Sequence, residues 1–186
     1  MGLDFTTLDA GRLFALLGFV PGALGQELNS IRQQLVPACP FKSHVTLLPP
    51  RVLDGSANDL STALDAKLLS VQAFEIGLGK VEIFPASGVI YLGIESGFDA
   101  LQQLHDLLAR DEFEFDETYP FHPHVTLAQD FPLVESEELV ERAVLLWNSW
   151  QGKRSFVLEH ASFVRGLDLS TWETLSEHHL YPILDL

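Results

Sequence analysis

Two histidine–threonine pairs occupy matching places in two copies of one short motif. His44 and Thr46 form the first pair, and His124 and Thr126 form the second pair, 80 residues further along the chain. The eight-residue segments that contain them agree at six positions. Because both copies also hold equivalent places in the order of predicted strands and helices, the repeat indicates internal duplication.

These residue types suit chemistry at the phosphorus atom of a phosphate ester. Side chains alternate between the two faces of a strand, so each histidine points the same way as the threonine two residues later. If both copies face one groove, a neutral imidazole can remove a proton while a charged imidazole donates one to the leaving oxygen. The threonine hydroxyls can hydrogen-bond the non-bridging phosphate oxygens. This chemistry needs no metal ion, and it leaves open which of His44 and His124 is the base.

The doubled motif resembles that of the 2H phosphoesterases, which include the bacterial 2'-5' RNA ligase proteins and the 2',3'-cyclic nucleotide phosphodiesterases. The likeness covers most of the chain, from the first predicted strand to the last. It implies an α+β fold that is a bilobal, pseudo-two-fold duplicated module, in which each lobe is an antiparallel sheet with packed helices and the active cleft lies between the lobes. It also implies that His44, Thr46, His124 and Thr126 act on 2',3'-cyclic phosphate or 2'-5' phosphodiester bonds without a metal or other cofactor.

One position departs from the pattern of this family. Many members carry a basic residue shortly after the second motif, where this chain has Gln129. Gln129 is therefore a predicted substrate-binding residue that would offer a neutral hydrogen bond. Lys42, Arg51, Lys80 or Arg165 could supply the missing positive charge, although contact with water is the ordinary role of such cations.

Aromatic residues near the motifs are candidates for binding a nucleobase. Phe41 and Phe121 each precede a motif histidine by three residues, and we predict that both bind substrate, since aromatic faces stack on bases with little sequence preference. Packing between the repeats is the competing interpretation of this pair. Further candidates for stacking are Tyr119, Phe84, Tyr91 and Trp172.

Hydrophobic periodicity predicts the elements that position the motifs. Alternating or short apolar runs predict strands, and apolar residues three or four apart predict helices. The predicted strands cover 12–20, 44–47, 73–84, 88–94, 124–128 and 156–165, with a short extended piece at 179–182, and the predicted helices cover 24–35, 59–70, 98–110 and 135–150. Pro49 and Pro50 are expected to close the strand of the first motif.

The order of elements repeats, and no change in composition marks a flexible linker. We therefore expect a single bilobal domain over residues 1–186. Its two interlocked lobes would correspond approximately to the sequence halves 12–88 and 89–186.

The composition limits the partners. The 26 acidic and 11 basic residues give a formal charge of −15, so long double-stranded nucleic acid is not an expected partner, whereas a small phosphate-containing substrate or an RNA end in a locally basic pocket is compatible with it. The apolar run from Leu13 to Val20 is too short to span a bilayer. Cys39 is the single cysteine and cannot form an intrachain disulfide. We expect a cytoplasmic monomer that does not associate with membranes.

Alternative functions stay open at this point. The cleft could bind a nucleotide or RNA end without turnover, or the acidic surface could bind a protein, in which case mutating His44 and His124 would leave partner affinity unchanged. A metal site at His122, His124 and the pair 178–179 is disfavoured. The motif threonines have no use in zinc coordination, and no HExxH pattern or cysteine pair occurs.

Overall fold

The computed structural model describes residues 12–37, 39–168 and 171–182, which form eight strands and four α-helices. In chain order these are β1 (Leu13–Phe19), α1 (Gly22–Leu35), β2 (His44–Val52), α2 (Ala57–Leu68), β3 (Phe74–Ile83), β4 (Ile90–Ser96), α3 (Phe98–Leu108), β5 (His124–Ala128), α4 (Ser136–Ser149), β6 (Ser155–Leu158), β7 (His160–Gly166) and β8 (Trp172–His179). The predicted α+β class is confirmed.

The eight strands belong to one antiparallel sheet, in the order β6-β3-β4-β5-β2-β1-β7-β8. The motif strands β2 and β5 are neighbours in the middle of this sheet. A single residue pair, Val45 opposite Val125, joins them, whereas β1 and β2 are paired along their whole length. This short junction between β2 and β5 is called the seam below.

Two of the helices, α1 and α3, cross the seam. The apolar stripe predicted for α1 is confirmed, because Leu24, Leu28, Ile31 and Leu35 are all buried. α1 precedes β2 in the chain but packs against β5, and α3 precedes β5 but packs against β2. Such reciprocal contacts are expected of two related repeats. The division into lobes at 12–88 and 89–186 stays a prediction.

The expected end of β2 at its prolines is wrong, since the strand continues to Val52. The pairing with β1 is irregular at this point: Leu16 lies opposite Leu48, and Phe14 lies opposite Arg51. The two prolines therefore occupy a bulge, where residues without an N–H group are tolerated. As a consequence, Arg51 belongs to the same strand as the first motif.

The single strand predicted over 156–165 is also wrong. It is two strands separated by Glu159, with β6 paired to β3 and β7 paired to β1. The extended piece predicted at 179–182 overlaps the observed strand only at His179, because β8 begins at Trp172 and ends at His179. Among the described residues after β8, Tyr181 forms an isolated bridge with Gln72.

Glu159 alone connects β6 to β7, although these strands lie far apart in the order of the sheet. The sheet must therefore curl to bring them together. β6 then approaches β1 from across the core, so closely that a Cβ atom on Gly18 would overlap the side chain of Leu158. The apolar residues of both motif strands lie in this core. Among the described residues, no helix is long and apolar enough to cross a membrane.

Candidate active site

The two motifs show the same alternation of burial. Both strands begin with the pattern half-buried, buried, half-buried, buried. The members that face the core, each with 0% exposure, are Val45, Leu47, Val125 and Leu127. The half-buried members on the opposite face are His44, Thr46, His124 and Thr126. Apolar contacts therefore anchor each strand while its polar residues remain on the open face.

The register across the seam brings the two pairs together. Because Val45 lies opposite Val125 in an antiparallel arrangement, His44 is level with Thr126 and Thr46 is level with His124. Each histidine thus has the threonine of the other motif as its cross-strand neighbour. The strand periodicity and the duplication together predicted this grouping.

Both histidines are fixed in the same tautomer. Nδ1 of His44 lies 2.7 Å from the carbonyl oxygen of Lys42, and Nδ1 of His124 lies 2.7 Å from that of His122. A carbonyl oxygen only accepts, so Nδ1 must donate in each case. Nε2 is then the basic nitrogen of each neutral ring, which is the atom that a general base needs.

Aromatic side chains hold the imidazole rings in place. Phe84 and Tyr91 stack on each other at 4.1 Å, and each contacts the ring of His124 with a centroid distance of 5.1 Å. Phe19 contacts the ring of His44 edge to face at 6.0 Å. These contacts limit rotation of the rings. They also assign Phe84 and Tyr91, two stacking candidates, to the support of His124.

Burial keeps both imidazoles neutral at pH 7. It lowers the pKa of His44 to about 4, with smaller lowering contributions from the charges of Arg32 and His124 and an opposing effect of the hydrogen bond to Lys42. Burial also lowers the pKa of His124, as does the neighbouring His122, although the hydrogen bond to the His122 carbonyl opposes the shift. Bound phosphate, being negative, would favour the charged imidazolium.

A cavity of about 650 Å³ opens beside the motifs. Its wall includes His44, Thr46 and Thr126, and it extends along the sheet to Trp172 and Glu177 on β8. His124 is not part of this wall, and the register places it next to Thr46. The volume lies within the usual range for small-molecule sites.

The predicted substrate-binding residues separate into two groups. Phe41 and Gln129 line the cavity, and the amide of Gln129 donates to Asp130 over 3.0 Å. Phe121 does not line it. Its ring stacks on His105 with a centroid distance of 3.9 Å and an angle of 5°, which corresponds to the packing interpretation.

The four cations considered as phosphate contacts are also dispersed. Lys42 is exposed and lines the cavity, and Lys80 is exposed on β3. Arg51 is buried in an ion pair with Glu117, and Arg165 pairs with Glu173. Among the described residues, no group of three or more His, Cys, Asp or Glu side chains is placed to hold a metal ion.

The sequence interpretation missed Arg32. This residue lines the cavity and is only 2% exposed. It follows Ile31 directly, so it lies at the border of the apolar stripe of α1, where an arginine reads as part of the polar face. The helical periodicity alone does not show whether an arginine at that border faces the solvent or extends into the sheet.

Comparisons with known proteins agree with this architecture. A sequence profile of the 2'-5' RNA ligase superfamily matches residues 20–168. A Geobacillus kaustophilus protein that bears the provisional name of a phosphoesterase is 26% identical over 172 residues, which cover 78% of this chain and 95% of that protein. A similarly named Oceanobacillus iheyensis protein is 35% identical over 72 residues, which cover 38% of this chain and 42% of that protein.

Solved structures show the same fold. Escherichia coli LigT complexed with phosphate superposes with a TM-score of 0.62 at 16% identity, over 91% of this chain and 98% of LigT. A crystal structure described as a phosphoesterase gives 0.63 at 17% identity, over 92% and 99%. Because the profile spans most of the sequence, the chain belongs to the 2'-5' RNA ligase superfamily.

Proposed function

We propose that this protein is a metal-independent phosphoesterase of the 2H type, which acts on 2',3'-cyclic phosphate or 2'-5' phosphodiester bonds of nucleotides or RNA ends. The observation that carries the proposal is the pairing of two histidines, each with Nδ1 fixed by a carbonyl and each level with a threonine of the other motif. The one cysteine, Cys39, fits work in the reducing cytoplasm.

In this reaction a water molecule attacks phosphorus and the bond to the 2' or 3' oxygen breaks. Nε2 of His44 accepts the proton of the water, and Nε2–H of charged His124 gives a proton to the leaving oxygen. His44 is assigned as the base because its pKa, about 4, keeps it unprotonated. The hydroxyls of Thr46 and Thr126 donate to the non-bridging oxygens, whose charge increases in the transition state.

The cavity offers room for a nucleoside beside the phosphate. LigT has been crystallised with 3'-AMP, a nucleotide that carries a single phosphate on its ribose. In the present protein, Phe41 and Trp172 line the same cavity as His44. We propose that one of these rings stacks on the base while the phosphate lies between the motifs.

A substrate panel tests this function. Purified protein is incubated with 2',3'-cyclic mononucleotides, 2'-5' dinucleotides and ADP-ribose cyclic phosphate, with and without EDTA, and the products are separated by chromatography. We expect turnover of at least one substrate at an equal rate in EDTA. The double variant H44A/H124A is the control for contaminating activity. No turnover of any substrate, or turnover that EDTA abolishes, would contradict the proposal.

The pH dependence of kcat/KM gives a second prediction. Activity should rise as His44 loses its proton near pH 4 and fall as His124 loses its proton below its ordinary pKa of 6.5. The optimum therefore lies on the acid side of neutrality. Rates with a cyclic mononucleotide between pH 3.5 and 9 measure it.

A substrate with a good leaving group is the matched control for that profile. A p-nitrophenyl phosphodiester needs little protonation of its leaving oxygen, so the fall attributed to His124 should weaken while the rise attributed to His44 remains. An optimum above pH 8 for the cyclic mononucleotide would be incompatible with the lowered pKa of both histidines.

Gln129 favours one alternative, a module that binds a nucleotide or RNA end in the same cavity without turnover. Its neutral amide is engaged with Asp130, which reduces the stabilisation that it can give to a charged transition state. Saturable binding of 3'-AMP with no product from any substrate in the panel would establish this alternative.

A further inference from the structure

Arg32 is buried without a carboxylate partner. Its side chain is 2% exposed, and no ion pair connects it to an acidic side chain within the part of the chain that the structure describes. The other fully buried arginine, Arg51, shows the usual solution, since it pairs with Glu117 and with backbone carbonyls. A buried cation is costly unless an anion accompanies it. Arg32 therefore lacks the anionic partner that a buried cation normally has.

The existing contacts of the Arg32 guanidinium leave its hydrogen-bonding capacity partly unused. One terminal nitrogen donates to the carbonyl oxygen of Thr126, and the other lies 3.1 Å from Sγ of Cys39. Nε–H has no partner among the described residues. A thiol sulfur is a weak acceptor, so a phosphate oxygen would replace it with a gain in hydrogen-bond strength.

The position of this cation coincides with the proposed phosphate site. Arg32 extends from α1 to the strand of the second motif, and it lines the same cavity as His44, Thr46 and Thr126. Its charge also acts on His44. Gln129, the cavity residue that follows the second motif, carries no charge, and Lys42 is exposed to water.

We propose that Arg32 supplies the positive charge that binds the phosphate group of the substrate in this cavity, a role that rests on the proposed phosphoesterase function. The guanidinium donates to non-bridging oxygens from the side of α1, while the threonine hydroxyls donate from the sheet. In a chain with a formal charge of −15, a local cation of this kind is what allows an anion to enter.

Binding of inorganic phosphate tests this role without any requirement for turnover. Its dissociation constant is measured by calorimetry for the wild type, Arg32→Met and Arg32→Lys. Arg32→Met should bind phosphate about 10- to 100-fold more weakly, because a charge-assisted hydrogen bond is lost. Arg32→Lys should retain part of the affinity, because it keeps the charge but loses the planar donor geometry. Arg154→Met, which removes the same charge at an exposed site outside the cavity, should bind like the wild type.

NMR provides readouts that a merely structural role would not move. The pKa of His44 should rise in Arg32→Met, because the neighbouring positive charge is gone, and should be unchanged in Arg154→Met. In the wild type, phosphate should shift the Nε–Hε signal of Arg32. This last measurement needs no variant, so it decides the matter even if Arg32→Met does not fold.

Two results would overturn the inference: a folded Arg32→Met protein with phosphate affinity within twofold of the wild type, or a wild-type Arg32 signal that phosphate leaves unmoved while His44 responds. Failure of the proposed function looks different. In that case phosphate binds in a manner that depends on Arg32, but no substrate in the panel is turned over.

Discussion

Replacement of either His44 or His124 by alanine is expected to lower kcat by about 10²- to 10⁴-fold. Each change removes one of the two proton transfers proposed for the reaction. Since the two residues act in one step, the double variant should be little worse than the slower single variant. Steady-state rates with the best cyclic substrate measure all three losses.

His179→Ala is the matched control for these variants. His179 is exposed and contacts His160 on β7 at 4.5 Å, and it does not line the cavity. The substitution removes the same side chain and should leave kcat unchanged. Full activity in either His44→Ala or His124→Ala, with circular dichroism like that of the wild type, would refute the two-histidine mechanism.

Arg51→Met is expected to lower the free energy of unfolding by about 3–5 kcal/mol. The guanidinium, 1% exposed, donates to the carbonyl oxygens of Pro49 and Phe113 and pairs with Glu117 at 2.5 Å. Without it, the salt-bridge contact left to Glu117 among the described residues is Nε2 of His105, at 3.4 Å, which forms an ion pair only when that ring is protonated. The carboxylate would be left largely buried and uncompensated. Urea unfolding followed by circular dichroism measures the difference.

Two further variants separate this effect from a general loss of charge. Arg51→Met combined with Glu117→Gln removes the uncompensated carboxylate and should recover much of the stability. Arg165→Met breaks the more exposed pair with Glu173 and should cost only about 0–1 kcal/mol. Equal losses in Arg51→Met and Arg165→Met would contradict the importance assigned to the buried pair.

Arg51 and the residues that it contacts also help to position the candidate site. Arg51 lies on the strand of His44, and its partners Phe113 and Glu117 lie on the segment that leads to the second motif. His105 adds a second link, because its Nδ1 donates to the carbonyl oxygen of Leu47 and its ring stacks on Phe121. These contacts fix the position of the segment that precedes His124 relative to β2.

The sequence predicted correctly those elements whose buried residues recur at one regular spacing, that of a strand or that of a helix. The strand of the second motif was predicted with the bounds that the structure gives, 124–128, and the apolar stripe of α1 was predicted residue by residue. Both follow from side-chain direction, which alternates on a strand and recurs every three to four residues on a helix. The grouping of the two motifs required a further assumption, that the two repeats are related by an approximate two-fold axis.

Features that depend on distant partners could not be predicted in this way. The residues of β6 and β7 were predicted as one strand, and the break at Glu159 appears only because each part pairs with a different strand. Pro49 and Pro50 are tolerated because of the irregular pairing with β1. The burial of Arg32 depends on Thr126, 94 residues away.

The chain order of the strands has a consequence for synthesis on the ribosome. The half of the sheet that contains the first motif is completed by β7 and β8, the last two strands among the described residues. Proteins tend to fold from the N-terminus as they emerge, at about 5–20 residues per second, but here the outer edge of β1 stays unpaired until β7 has been made. At this rate β7 is made about 5–20 seconds after β2, so we expect the outer edge of β1 to stay unpaired for that time during synthesis.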